Sequence, residues 1–200
     1  GVDIYSNTDT QEVYVQKLVH FAKVLDLEQA GQASMEKLLQ HNPLYKNPVF
    51  LFALQEDDAK FVLGVNGSKL YNSIKKVFDE GISEAKLGDA CGCFGEGFGE
   101  SLLTRIELKY GELISLQEEI EDFGPARLKQ YNENFSVWLD TLSIYKSLGG
   151  KFKVSIKKEG KLSNAIICFT GIRDKVLKAK LEEQGATVTD TFTKNVTVLI

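Results

Sequence analysis

Large apolar residues recur four times along this chain at the same two offsets from a glycine. Met35 and Leu38 follow Gly31 by four and seven residues, and Tyr71 and Ile74 follow Gly67 in the same way. Leu103 and Ile106 follow Gly99, and Leu128 and Tyr131 follow Gly124, at those same offsets of four and seven. Both offsets fall on one face of a helix, so each glycine predicts a tight turn that opens an amphipathic helix. The turns read Gln29-Ala30-Gly31-Gln32, Val65-Asn66-Gly67-Ser68, Gly97-Phe98-Gly99-Glu100 and Asp122-Phe123-Gly124-Pro125. Successive glycines lie 36, 32 and 25 residues apart, which makes a loose internal repeat.

Helical spacing continues between the turns. Val15, Leu18, Val19, Ala22 and Leu25 keep one face apolar from about Glu12 onward. Further helices are predicted from Ser34 to Gln40, from Asp57 into the second turn, and from Tyr71 to Phe78. Others are predicted from Ser83 to Ala90, Ser101 to Lys109 and Arg127 to Ser143. Pro43 and Pro48 bracket a loop. After Gly149-Gly150 the period changes. Phe152, Val154 and Ile156 alternate with polar residues, as in a half-buried strand. Ala165-Ile166-Ile167-Cys168-Phe169 is a continuous apolar run, as in the covered strand of a parallel sheet. A helix capped by Asp174, carrying Val176, Leu177 and Leu181, and two β-rich segments complete the chain. The expected architecture is an α-helical domain over residues 1–148, followed by a partial α/β domain with a parallel sheet over residues 149–200. The last segment is apolar and lacks a covering element, so this second domain is expected to continue beyond Ile200.

A hydrophobic fraction of 43% is enough for a globular core, and no apolar run reaches the length of a membrane span. Three cysteines, two of them in Cys91-Gly92-Cys93, do not form an even disulfide framework, so a reducing, cytoplasmic setting is expected. Cys-x-Cys without a second pair does not supply four zinc ligands, and no metal site is expected. No Ser–His–Asp set and no phosphate-binding Walker loop is present. Charge divides unevenly. Residues 1–150 hold 14 Lys and Arg against 23 Asp and Glu, a net of −9, whereas residues 151–200 hold 10 against 5, a net of +5. A field of the first sign slows approach to a polyanion.

The glycine turns nevertheless carry anion chemistry. Amides at the start of a helix have no partner within it, and the helix dipole adds positive potential there. A glycine in front of them lets a phosphate come close. Each charge-assisted amide–phosphate bond contributes about 1.5–3 kcal/mol before ordering costs. Candidate contacts are therefore Gly31, Gly67, Gly97, Gly99 and Gly124, with Ser68, Lys69, Arg127 and Lys129 as neighbouring donors. Such contacts ignore base identity.

These residues resemble a known family. Leu25-Asp26-Leu27-Glu28-Gln29-Ala30-Gly31 and Leu63-Gly64-Val65-Asn66-Gly67-Ser68-Lys69 are similar to the first and second helix-hairpin-helix motifs of bacterial-type NAD-dependent DNA ligases. Gly97-Phe98-Gly99-Glu100 and Asp122-Phe123-Gly124-Pro125 resemble the third and fourth. The stretch Ile167-Cys168-Phe169-Thr170-Gly171, with Ala179 to Val188, resembles the first half of the BRCT domain that follows those motifs in the family. The resemblance covers about residues 12–200 and implies a chain that holds nicked double-stranded DNA for an adenylating ligase domain or subunit. It also implies Thr170 and Gly171 as a phosphate-binding pair, and a nucleoid-associated location. The family's Lys-x-Asp-Gly adenylation motif and four-cysteine zinc site do not occur here. No catalytic residue and no cofactor is therefore expected in this chain. NAD and Mg are expected in the adenylating partner. Two other readings stay open: a repair adaptor that joins DNA to a protein partner, and an interaction protein without DNA affinity.

Overall fold

The computed structural model describes residues 10–118, 120, 123–153, 162, 165–169, 174–189 and 196–200. The chain divides into two compact units, residues 1–155 and 156–200.

The first unit is helical. Its elements are α1 (Gln11–Val24), α2 (Gln32–His41), α3 (Glu56–Leu63), α4 (Val65–Glu80), α5 (Glu84–Ala90), α6 (Glu100–Tyr110), α7 (Pro125–Glu133) and α8 (Phe135–Ser147). The expected proline-bracketed loop is ordered as two 3-10 turns, Pro43–Lys46 and Pro48–Ala53. Asn42 and Asn47 start them, each with a side-chain oxygen accepting the amide two residues on, at 3.1 and 3.2 Å. Met35, Leu38, Leu103, Ile106 and Tyr131 are fully buried, and Ile74 nearly so. Six of the eight repeated apolar positions are thus core, and the other two, Tyr71 and Leu128, are half-buried and pack against it. Burial stabilises each of the buried aliphatic side chains by about 1.5–3 kcal/mol.

Three sequence expectations change. The second turn does not fall at Val65–Ser68. Gly64 makes it, at φ 62° and ψ −136°, and α4 has already begun at Val65. Gly67 lies inside α4, buried where α3 crosses it, and a Cβ there would overlap the Ala59 carbonyl. The single helix expected from Arg127 to Ser143 is two helices, α7 and α8, broken at Asn134. Asn134 takes φ −95° and ψ 0°, and its side-chain amide donates to the Gln130 carbonyl at 2.9 Å. Phe152, expected to begin the sheet domain, instead bridges to Ile82 and packs on Tyr145 with ring centroids 5.0 Å apart. Val154 and Ile156 lie outside the described residues.

The second unit contains β1 (Ile166–Cys168), α9 (Lys175–Glu183), β2 (Thr187–Thr189) and β3 (Val198–Leu199). The strands are parallel in the order β2-β1-β3, with Ile167 opposite both Val188 and Val198. Ile167 and Cys168 on the central strand are buried, as its apolar run predicts. Asp174 caps α9, accepting the Val176 and Leu177 amides at 2.9 Å each. Val176 is 65% exposed and is not a core residue within this unit.

Candidate nucleic-acid interface

Three corners share one backbone geometry. Gly31, Gly99 and Gly124 cap α2, α6 and α7 with φ of −70°, −76° and −71° and ψ of 169°, 167° and 170°. Each glycine carbonyl accepts the amide four residues on, from Met35, Leu103 and Leu128, at 3.1, 3.2 and 3.0 Å. All three glycines are exposed. Two residues before the cap, Gln29 and Gly97 both take left-handed backbone, at φ 57° and 86°. The equivalent Asp122 lies outside the described residues.

Neither backbone nor packing requires glycine at these caps. Any residue adopts this extended conformation. A Cβ at Gly31 or Gly124 would meet nothing within 4 Å, and one at Gly99 would meet only a carboxylate oxygen of Asp89, at 3.9 Å. What glycine does is leave the following amides uncovered. At the first corner Gln32 and Ala33 are exposed, and their amides have no hydrogen-bond partner among the described residues. At the fourth, Pro125 has no amide hydrogen and the exposed Ala126 amide has no partner among the described residues.

The third corner differs. Gly97 and Gly99 were expected to contact a phosphate there, yet the Glu100 amide donates to an Asp89 carboxylate oxygen at 2.8 Å. His20 on α1 holds the other oxygen at 3.1 Å and the Asp89 carbonyl at 2.9 Å. The hydrogen bond to Asp89 raises the His20 pKa above its ordinary value against the opposing effect of burial. An internal anion therefore already sits where a phosphate oxygen was expected.

The remaining candidates are dispersed. Ser68 is half-buried within α4, and exposed Lys69 lines an open polar groove with Asp26, Glu28, Asn72 and Lys76. Arg127 is exposed beside the fourth corner, and the Lys129 ammonium lies 3.7 Å from the exposed Glu133 carboxylate. Pairs this exposed contribute little and yield readily to a phosphate. Thr170 and Gly171 lie outside the described residues. The third and fourth corners are brought together. Phe98 and Phe123, the middle residues of the two, pack edge to face with centroids 5.6 Å apart, and both touch Tyr131. Sequence reasoning missed this pair, although an apolar residue between two turn positions was a visible sign. It also missed His20 and Asp89, which are 69 residues apart. No group of three or more metal-ligating side chains occurs among the described residues, and none of their helices is long and apolar enough to cross a membrane.

Residues 157–200 match the family model of the BRCA1 C Terminus (BRCT) domain. The chain is 26% identical over 209 residues to a putative DNA ligase of Invertebrate iridescent virus 6, an alignment covering 98% of this chain and 33% of that protein. It is 23% identical over 214 residues to a DNA ligase of Acanthamoeba polyphaga mimivirus, covering 96% of this chain and 32% of that protein. The chain thus spans about a third of the length of the curated relatives it matches. No solved structure matches it significantly. By sequence the chain is related to DNA ligases and carries a BRCT-type region.

Proposed function

We propose that this chain is the DNA-holding part of a DNA ligase of the bacterial, NAD-using type. Helix-hairpin-helix units grip nicked duplex through its phosphates, chiefly at the first and fourth corners, and an adenylating domain or separate subunit, which takes NAD and Mg, seals the nick. The observation that supports this reading is the threefold repetition of an exposed glycine cap in a ligase-related chain, at positions where the protein itself has no need of glycine.

The chemistry follows from the bare amides. Phosphate oxygens accept from Gln32 and Ala33 at the first corner and from Ala126 at the fourth. Lys69, Arg127 and Lys129 add charge-assisted contacts, and in the BRCT-type region Thr170 and Gly171 take a further phosphate. None of these groups reads a base, so binding is independent of sequence. Amides release few counterions, so the salt slope is shallow, equivalent to about 2–4 phosphates.

Serine at the corners tests the reading. Gly31→Ser and Gly124→Ser place a hydroxyl in empty space, where it accepts from the Ala33 or the Ala126 amide, takes that donor from a phosphate and caps the helix. The variants are expected to melt no lower than the parent while binding nicked duplex several-fold more weakly. Unchanged affinity in both would overturn the amide mechanism. A nick-sealing assay with NAD and an adenylating partner then separates a ligase role from simple DNA binding.

A further inference from the structure

A second cationic feature lies on the first helix pair, away from every glycine corner. Tyr14 and Lys17 are on α1, and Lys46 ends the first 3-10 turn. The two ammonium groups converge on one ring, Lys46 at 4.8 Å and Lys17 at 5.7 Å from the Tyr14 centroid. Neither lysine has a carboxylate within ion-pair distance among the described residues, whereas Lys60, Lys75, Lys129 and Lys153 each have one. Each ammonium is held near the ring by a cation–π attraction of about 0.5–1 kcal/mol. In a segment whose net charge is −9, the two ammonium groups are a local reversal of sign.

Beside the ring opens a cavity of about 250 Å³, lined by Gln11, Tyr14, Leu39, Gln40, Pro43 and Lys46. No carboxylate is among these residues. Its amide-bearing rim, Gln11 and Gln40, is shared with a shallow groove that reaches Gln32. Gln32 is the residue whose bare amide opens α2 at the first corner. Gln32 and Gln40 are eight residues apart on α2, about 12 Å along the helix axis. The exposed Glu12 and Glu36 line the connecting groove, so a polyanion is repelled along it and attracted at its two ends.

We propose that Lys17, Lys46 and Tyr14 form a second phosphate contact for the duplex held at the first corner. Lys17 and Lys46 take one phosphodiester group between them, the Gln11 and Gln40 amides hydrogen-bond the adjoining sugar–phosphate, and Tyr14 with Leu39 and Pro43 supports the deoxyribose. The backbone bridges the two ends and stands clear of the acidic groove between them. This inference rests on the DNA-holding reading and adds residues that the glycine repeat does not predict.

The test is a fluorescence-anisotropy titration of the full chain with nicked duplex at several salt concentrations. The double variant Lys17→Gln/Lys46→Gln is compared with Lys60→Gln/Lys75→Gln, which removes two lysines already paired with carboxylates. The expected result is an affinity loss of about 5–20-fold at low salt for the first pair. It should come with a salt slope shallower by about 0.9 and unchanged thermal unfolding, since the one phosphate contact that these lysines share removes about 0.9 from the slope. The control pair should change affinity less than twofold. If the parent binds duplex and the two double variants match each other in affinity and slope, this contact is refuted while the DNA-holding reading stands. If the parent does not bind duplex, both fall together.

Discussion

Phe98 and Phe123 meet edge to face with ring centroids 5.6 Å apart, although each sits at the tip of a different glycine corner. Both are buried, while Gly99 and Gly124 beside them are exposed. One apolar contact thus fixes the spacing of two solvent-facing corners. A double-mutant cycle with Phe98→Leu and Phe123→Leu, read by urea unfolding, should show a coupling of about 0.5–1.5 kcal/mol. Additive losses would show that Tyr131, which touches both rings, holds the corners independently.

His20 makes stability depend on pH. Its folded pKa is raised, first by the hydrogen bond to Asp89 and further by the Asp89 carbonyl and charge. The stabilisation is therefore fully present below the ordinary histidine pKa of about 6.5 and is lost as pH rises through the folded value. Unfolding followed across that window should show the parent losing on the order of 1 kcal/mol relative to His20→Gln. Parallel pH profiles for the two proteins would remove His20 from the account.

Two buried carboxylates answer amides at the third helix pair. Glu107 accepts from the Glu84 and Ala85 amides, both at 3.2 Å, and Glu84 accepts from Leu113 at 2.7 Å. Burial pushes the Glu84 pKa up, and the nearby Glu107 charge adds to it, while the Leu113 bond opposes. Glu84→Gln keeps an acceptor and removes the misplaced charge. It should be neutral or stabilising by about 0.5–1 kcal/mol at neutral pH, with the advantage disappearing in acid as Glu84 itself protonates. Glu107→Ala leaves two buried amides unanswered and should cost about 2–4 kcal/mol. Thermal unfolding of the two variants at pH 7 distinguishes the roles, and a destabilised Glu84→Gln would contradict this assignment.

The residues that were legible in sequence are those governed by local periodicity. Met35, Leu38, Leu103 and Ile106 are fully buried because their spacing puts them on one helix face. Gly31, Gly99 and Gly124 were legible as helix starts for the same reason. The second corner was not, because Gly64 and Gly67 both precede an apolar face. Only the tertiary crossing of α3 and α4 shows that Gly64 turns the chain while Gly67 admits a close neighbour. Asp89 at the third corner was hidden for a different reason. A carboxylate eleven residues before Glu100 leaves no periodic trace, and its other partner, His20, lies on α1. The break at Asn134 was hidden because Tyr131 and Trp138 are both core residues and keep a helical spacing of seven across it.

Gln29 holds the conformation that Gly97 holds at the third corner, with φ 57° against 86°. A side chain in left-handed backbone costs about 1–2 kcal/mol, and glycine avoids that cost while losing about 0.5–1 kcal/mol of chain entropy. Gln29 is exposed, so its side chain returns little by packing. Gln29→Gly should therefore raise stability by a few tenths to about 1 kcal/mol, measured as a higher urea midpoint at unchanged slope. The same change leaves the Gln32 and Ala33 amides in place, so under the proposed DNA-holding function affinity for nicked duplex should hold or rise. Gln29→Val forces a β-branched residue into left-handed backbone and should lower both stability and affinity. If Gln29→Gly destabilised the fold, the first corner would owe its shape to the glutamine side chain rather than to the turn.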